Sequence, residues 1–182
     1  MRSRRTVRIT IAGDERLKVK QPAFLELSLD ESVVWGDVKQ RVQKMCSLKP
    51  GWTSSSYALY DWRVHDENGD ELVEDTPITE DVTVYARSNY TGFKWDGNAI
   101  VGYSGQEPRG KIIIPIKTKE IRQGAFAECT QITDVSLRGC SELRKVEWEV
   151  LSLSDILKDI KKTKTLKNYS HSYWITMLHL ST

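Results

Sequence analysis

Few residues in this chain are of a type that could carry chemistry. Three cysteines stand at Cys46, Cys129 and Cys140, and three histidines at His65, His171 and His179. An acidic run, Asp66-Glu67-Asn68-Gly69-Asp70-Glu71, fills one candidate turn. Zinc sites favour cysteine pairs two to four residues apart plus two further ligands, whereas ten residues separate Cys129 from Cys140. Those two are expected to pack as small apolar groups without metal, and Cys46 to close the end of an apolar helix face. No serine or cysteine lies in a Gly-x-Ser-x-Gly elbow, and the histidines fall in a turn and an irregular tail, so a nucleophile, base and orienting group cannot be assembled. The acidic run resembles half a calcium loop but lacks the acidic residue at the twelfth position and the flanking helices, which predicts a solvated turn. There is no Gly-x-x-x-x-Gly-Lys phosphate cradle. The expectation is a chain with no catalytic residue, no metal and no cofactor.

Composition narrows the partner. Of 182 residues, 39% are hydrophobic and 29% charged, enough apolar matter for a folded core. Lys plus Arg number 27 against 25 Asp plus Glu, a net charge of +2 that is too mild to imply nucleic acid. The basic runs at Arg2, Arg4, Arg5 and Arg8 and at Lys158 to Lys167 have no interleaved aromatics. The odd cysteine count and the absence of an apolar signal segment after Met1 predict a reducing, cytoplasmic setting. No stretch nears the roughly 20 apolar residues of a membrane span, and the acceptor patterns Asn89-Tyr90-Thr91 and Asn168-Tyr169-Ser170 are expected to stay unmodified.

The elements that must position any surface follow from periodicity. Val7, Ile9 and Ile11 alternate with Arg8 and Thr10, a half-buried strand, and Ala12-Gly13-Asp14-Glu15 reads as a turn. Phe24, Leu25, Leu27 and Leu29 give a second strand, antiparallel to the first. Ser32 offers an N-cap to a helix whose apolar face is Val34, Val38, Val42 and Met45, and Lys49-Pro50-Gly51 ends it. Tyr57 to Trp62 is a strand, His65 to Asp70 a turn built on Asn-Gly, Glu71-Leu72-Val73 its return, and Val82 to Ala86 a last strand.

That order, with Val34-Trp35-Gly36-Asp37-Val38-Lys39-Gln40-Arg41-Val42, the loop Asp75-Thr76-Pro77-Ile78 and the closing Thr83-Val84-Tyr85-Ala86-Arg87, resembles a ubiquitin-like β-grasp domain over Thr6 to Arg87. Conjugated members of that family end in Gly-Gly just after the last strand. Here Ser88-Asn89-Tyr90 follows and the chain runs on, so the resemblance implies a built-in interaction module in an intracellular eukaryotic setting, not a transferable modifier.

Beyond Tyr90 the texture changes. Phe93 to Val101 reads as a hairpin around Asp96-Gly97-Asn98. Cys129 to Leu137 is then echoed by Cys140 to Trp148, the pattern Cys-x-x-[Ile/Leu]-x-x-Val-x-[Leu/Trp] recurring after 11 residues, and Ile112-Ile113-Ile114-Pro115 lies 23 positions before Val135-Ser136-Leu137. A period of about 20 to 29 with one strand per unit belongs to leucine-rich solenoids. With Glu120-Ile121, Gly124-Ala125-Phe126, Cys129, Ile132 and Cys140, these residues closely resemble the BspA-like class of leucine-rich repeats. In the tail, Leu151, Ile156, Leu157 and Ile160 fall near one helical face after Ser154, a helix suited to cap the last coil.

The fold class expected is therefore α+β: residues 1–89 a ubiquitin-like β-grasp domain, residues 90–148 a short BspA-like leucine-rich-repeat solenoid, and residues 149–182 a helical tail or cap. The function expected is that of a noncatalytic protein-protein interaction adaptor. The alternatives are a surface adhesin or antigen, which is where such repeats often occur, and a small enzyme of unknown type. In the ubiquitin-like family the sheet face away from the helix commonly docks partners. With Leu59, Val82 and Val84 inward, Ala58, Tyr60, Thr83 and Tyr85 point outward, Trp62 joins them, and the tyrosines are candidate anchors. The repeat domain is a competing cover for this face. Asp134, Ser136, Lys145 and Glu147, at the solenoid strands, are the next candidates. The partner expected is another protein, with neither nucleic acid nor a membrane span.

Overall fold

A computed structural model describes residues 5–29 and 32–147. The chain divides into two compact units, Met1–Asn89 and Tyr90–Thr182.

In the first unit the alternation at the N-terminus builds β1 (Arg5–Gly13), whose Val7, Ile9 and Ile11 are almost fully buried while Arg8 and Thr10 face outward. The strand runs through Ala12 and Gly13, which the sequence assigns to a turn. Then come β2 (Leu17–Val19), β3 (Phe24–Leu29), β4 (Val33–Val34), α1 (Trp35–Gln43), β5 (Cys46–Leu48), β6 (Tyr57–Val64), β7 (Pro77–Ile78) and β8 (Val82–Tyr90). The main sheet has the order β3-β1-β8-β6. β1 runs antiparallel to β3, Arg5 opposite Leu29 through Thr10 opposite Phe24. It runs parallel to β8, Ile9 opposite Val82 through Gly13 opposite Ala86. The pairs β2–β5 and β4–β7 are small antiparallel sheets of their own.

Helix α1 lays Trp35, Val38 and Val42 into this core, together with Leu17, Leu27, Trp62, Leu72, Ile78, Val84 and Ala86. Ser32 is exposed and lies ahead of the helix, so it is not the cap. Val34 holds that position, its N–H donating to the Asp37 carboxylate at 3.0 Å. The Trp35 and Gly36 amides donate to the carbonyls of Thr76 and Glu74 at 2.7 and 2.9 Å. A Cβ on Gly36, the second residue of the helix, would stand 2.7 Å from the Glu74 carboxylate and 3.2 Å from its carbonyl, so a larger residue there would have to push Glu74 aside. The return strand expected at Glu71-Leu72-Val73 shrinks to one bridge, Arg63 with Glu71, beside the bonds Val64 N–H to Asp70 and Leu72 N–H to Trp62.

The second unit contains β9 (Phe93–Asp96), β10 (Ala99–Tyr103), β11 (Gly110–Ile113), β12 (Glu120–Ile121), β13 (Ile132–Ser136) and β14 (Lys145–Val146). The hairpin β9–β10 turns at Gly97, whose φ of +60° is one that glycine adopts without cost. Tyr90, Ile100, Ile112, Ile114, Ile121, Phe126, Val135 and Leu137 are buried, with Phe93 stacked edge-on between Tyr90 (5.2 Å) and Phe126 (6.1 Å).

Two parts of the expected fold class are corrected here. Among the described residues the expected α+β class gives way to a mainly β one: strands predominate, in several small sheets, α1 is the one helix, and there is no solenoid. Parallel pairing does join Ile112 to Val135, 23 residues apart, but it stops in a two-stranded sheet, β11–β13. The second unit's other parallel strands belong to a separate sheet of order β14-β12-β10-β9. The two halves of the 11-residue echo do not pair with each other: β13 meets β11, and β14 meets β12. Eleven residues are too few to complete a coil and return in register. What they repeat is a local turn, in which Cys129 N–H donates to Phe126 and Cys140 N–H to Leu137, each three residues back. The helix expected from Ser154, with His171 and His179, the acceptor pattern at Asn168 and the basic run from Lys158, lies outside the described residues, as do Arg2, Arg4 and Trp148.

Candidate functional site

The outward residues of β6 and β8 come together on one face of the first unit's sheet. Strand β8 buries Val84 and Ala86 on the α1 side, which turns Thr83, Tyr85 and Arg87 to the other. Thr83, Tyr85 and Ala58 are half-buried, and Tyr60, 39% exposed, is the most accessible aromatic anchor.

Trp62 does not belong to this face. It is 3% exposed and stacks on Trp35 with ring centroids 5.3 Å apart. The inward positions of β6 are Tyr57 and Leu59 in its first half and Trp62 and Val64 in its second, so the alternation slips by one residue between Leu59 and Trp62. Such a slip carries every later side chain to the opposite face.

The slip also turns Asp61 outward, to the centre of an ion cluster that the sequence reading missed. Asp61 accepts from the Arg87 guanidinium at 2.6 Å and from the Arg63 guanidinium at 2.8 Å, and Arg63 lies 3.7 Å from Glu71. Arg87, Asp61 and Arg63 retain only 10, 11 and 17% of their side-chain exposure. Burial disfavours the Arg87 cation, but its hydrogen bonds and charge contact with Asp61 win, holding its pKa above the ordinary value. The Arg87 guanidinium also stands 5.8 Å from the Tyr60 ring centroid. Desolvation first, then the charges of Asp14 and Glu67, raise the Tyr85 phenol above its ordinary pKa, so it presents a neutral hydroxyl. The signal available in the sequence was the placing of Asp61, Arg63 and Arg87 inside strand-forming runs, where charges need partners.

Below this face Asp14 forms a clamp. Its carboxylate accepts from the Ser88 backbone N–H, the Ser88 hydroxyl and the Arg16 N–H. The Arg16 side chain, 3% exposed, donates to the Ser88 carbonyl at 3.3 Å and lies over the rings of Trp52 and Tyr57 at 5.1 and 5.4 Å.

The second set of candidates is not brought together. Asp134 and Ser136 lie on β13, whereas Lys145 and Glu147 lie on and beside β14, in a different sheet. Asp134 is exposed and 3.9 Å from Lys111. Glu147 pairs with Lys145 and accepts the Gln123 N–H at 2.9 Å, contacts that hold its pKa below the usual value.

The cysteines do not share a ladder position. Cys140 is buried, its thiol donating to the Ile114 carbonyl at 3.3 Å, while Cys129 is half-buried against the Tyr103 hydroxyl. Among the described residues no group of three or more His, Cys, Asp or Glu is placed to hold a metal ion, and no helix is long and apolar enough to cross a membrane.

Burial pushes the Cys140 thiol from 9.0 up to about 11, and Cys129 and Cys46 rise to about 11 as well, Cys129 with added repulsion from Glu107. A raised folded-state pKa favours the fold below the unfolded value and loses that support as the thiol ionises. Stability is therefore expected to fall as pH climbs from about 9 to about 11. At pH 8 Cys140 should react with a thiol reagent only on unfolding, which mass spectrometry of timed labelling would detect. Labelling in the native state as fast as in denaturant would refute its burial.

Compared with protein-family models, curated proteins and solved structures, the chain matches none. Its function is argued from its own residues.

Proposed function

We propose that this protein is a noncatalytic adaptor that docks a partner protein on the outer sheet face of its first unit, with Tyr60 and Tyr85 as anchors. The observation that carries this reading is an accessible tyrosine held beside a satisfied, largely buried ion cluster. Tyr60 stands against Arg87, and Arg87 is tied to Asp61. A rigid aromatic ring loses little conformational freedom when a partner covers it, and Tyr and Arg are over-represented among residues that dominate binding energy. The ubiquitin-like resemblance of Thr6 to Arg87 supports the same surface. The cluster's charges are internally paired, so they orient the tyrosine and leave the partner few charges to neutralise.

The test replaces both tyrosines by alanine and captures partners from source-cell lysate with the wild-type and variant chains side by side. A partner retained by the wild type should bind the variant more weakly by more than about 2 kcal/mol, the hot-spot scale. The far-ultraviolet circular dichroism should stay unchanged, because neither tyrosine belongs to the packed core between α1 and the sheet. Equal affinity for both chains would remove this face from the binding surface.

A further inference from the structure

We propose that a groove of about 700 Å³ in the first unit binds a small amphiphile with an apolar body and a single anionic head, the chemistry of a medium-chain carboxylate. Its lining comes from the C-terminal half of α1, from β5, from Leu17 of β2 and from the start of β6 with Ser54 ahead of it. The apolar part of that lining is continuous with the core. Leu17 and Tyr57 are almost fully buried, and Cys46, Leu48 and Leu59 pack against the core while staying only half-buried. Apolar surface left partly uncovered on three residues of one groove is surface that the body of an apolar ligand would take out of water. The volume falls within the range of pockets that hold small ligands, and the make-up is theirs: apolar side chains, a few polar groups and one charge.

The chemistry of the head follows from that charge. Lys44, exposed at the end of α1, is the one charged residue of the lining. Within the first unit the described ion pairs engage Arg8, Lys39, Arg63 and Arg87, and leave Lys44 out. From Lys39 to Lys49 the chain carries Lys39, Arg41, Lys44 and Lys49 and neither Asp nor Glu, and the stretch Trp52 to Tyr60, which supplies Ser54 and the β6 residues, carries no charge. An anion in the groove therefore meets a cation and no carboxylate. The amides of Gln40 and Gln43 and the hydroxyls of Ser47 and Ser54 are neutral partners for its oxygens. A compact ammonium among neutral donors suits one carboxylate, whereas a phosphate is better held by an arginine fork, and the lining has no arginine.

The groove includes Ala58 but neither Tyr60 nor Tyr85, so this reading and the adaptor reading fail separately. The probe is dansyl-labelled undecanoate, titrated into the full chain. Saturable binding with blue-shifted emission is expected. Lys44→Glu should weaken it about tenfold, the scale of reversing one exposed charge. The uncharged undecanamide analogue should bind the wild-type and Lys44→Glu chains equally, which separates lost charge from a disturbed fold.

The thiols locate the site. Cys46 lines the groove and Cys129 lies in the second unit, and burial raises both to about 11, so an alkylating reagent distinguishes them by access. Unlabelled decanoate should slow alkylation of Cys46 and leave that of Cys129 unchanged. No saturable binding of the probe, equal affinity of the Lys44→Glu chain, or no protection of Cys46 at about millimolar decanoate would each overturn the proposal.

Discussion

Replacing Trp35 by alanine is expected to lower the unfolding free energy by about 3 to 5 kcal/mol, the scale for emptying a buried aromatic site. Trp35 is fully buried and joins the start of α1 to β6 through Trp62. Its removal opens a cavity where helix, sheet and the loop carrying Thr76 meet, and these elements are fixed by backbone bonds that hinder collapse into the space. The indole N–H groups of Trp35 and Trp62 are buried with no hydrogen-bond partner among the described residues. A phenylalanine at position 35 therefore forfeits volume and no hydrogen bond, and should recover more than half of the loss. Urea titrations of the three chains would check both statements. A Trp35→Ala midpoint indistinguishable from wild type would show that this junction is not packed as described.

The second large effect concerns charge. Asp61→Ala leaves the guanidinium groups of Arg63 and Arg87 without the carboxylate that both use, in a site where the three side chains are at least four-fifths covered. Removing one partner of a buried pair commonly costs about 3 to 5 kcal/mol, because the remaining charge stays desolvated. With two cations sharing one anion and some access to water, a cost of about 3 kcal/mol is expected. Adding Arg87→Ala to Asp61→Ala should return part of it, since one of the stranded cations is then gone. A double-mutant cycle by thermal or denaturant unfolding measures this coupling. Strictly additive losses would mean that the ion pairs contribute nothing as a unit.

The same residues show what was legible in the sequence. The alternation of Val7, Ile9 and Ile11 and of Phe24 to Leu29 gave both strands, and Val38 with Val42 gave the helix face, because each pattern repeats often enough to fix a period. Leu17-Lys18-Val19 and Cys46-Ser47-Leu48 also alternate, but three residues define no period, so β2 has no signal in the sequence, and Cys46 reads as the end of a helix that the structure closes at Gln43 before β5 begins. Trp62 was misplaced because the outward phase of Ala58 and Tyr60 was carried across a slip that shows only in the burial along β6. The ion cluster of Asp61, Arg63 and Arg87 was invisible for the same reason. In the second unit the hairpin at Gly97 was readable from its turn residues. The repeat was a real local similarity with a non-local misreading: similar turns lead to similar strands, but which strand lies alongside is decided by the rest of the chain.

The parallel joint between β1 and β8 has a mechanical consequence. A chain pulled from the start of β1 and from the end of β8 drags two parallel neighbours in opposite directions along their length. All five rungs, from Ile9–Val82 to Gly13–Ala86, then share the load in shear instead of opening one after another. The Asp14 bonds to Ser88 prolong that joint past the last rung. Tension arriving through the second unit enters at the end of β8, the strand that carries Tyr85, so the tyrosine face should keep its shape under a pull that peels weaker elements away.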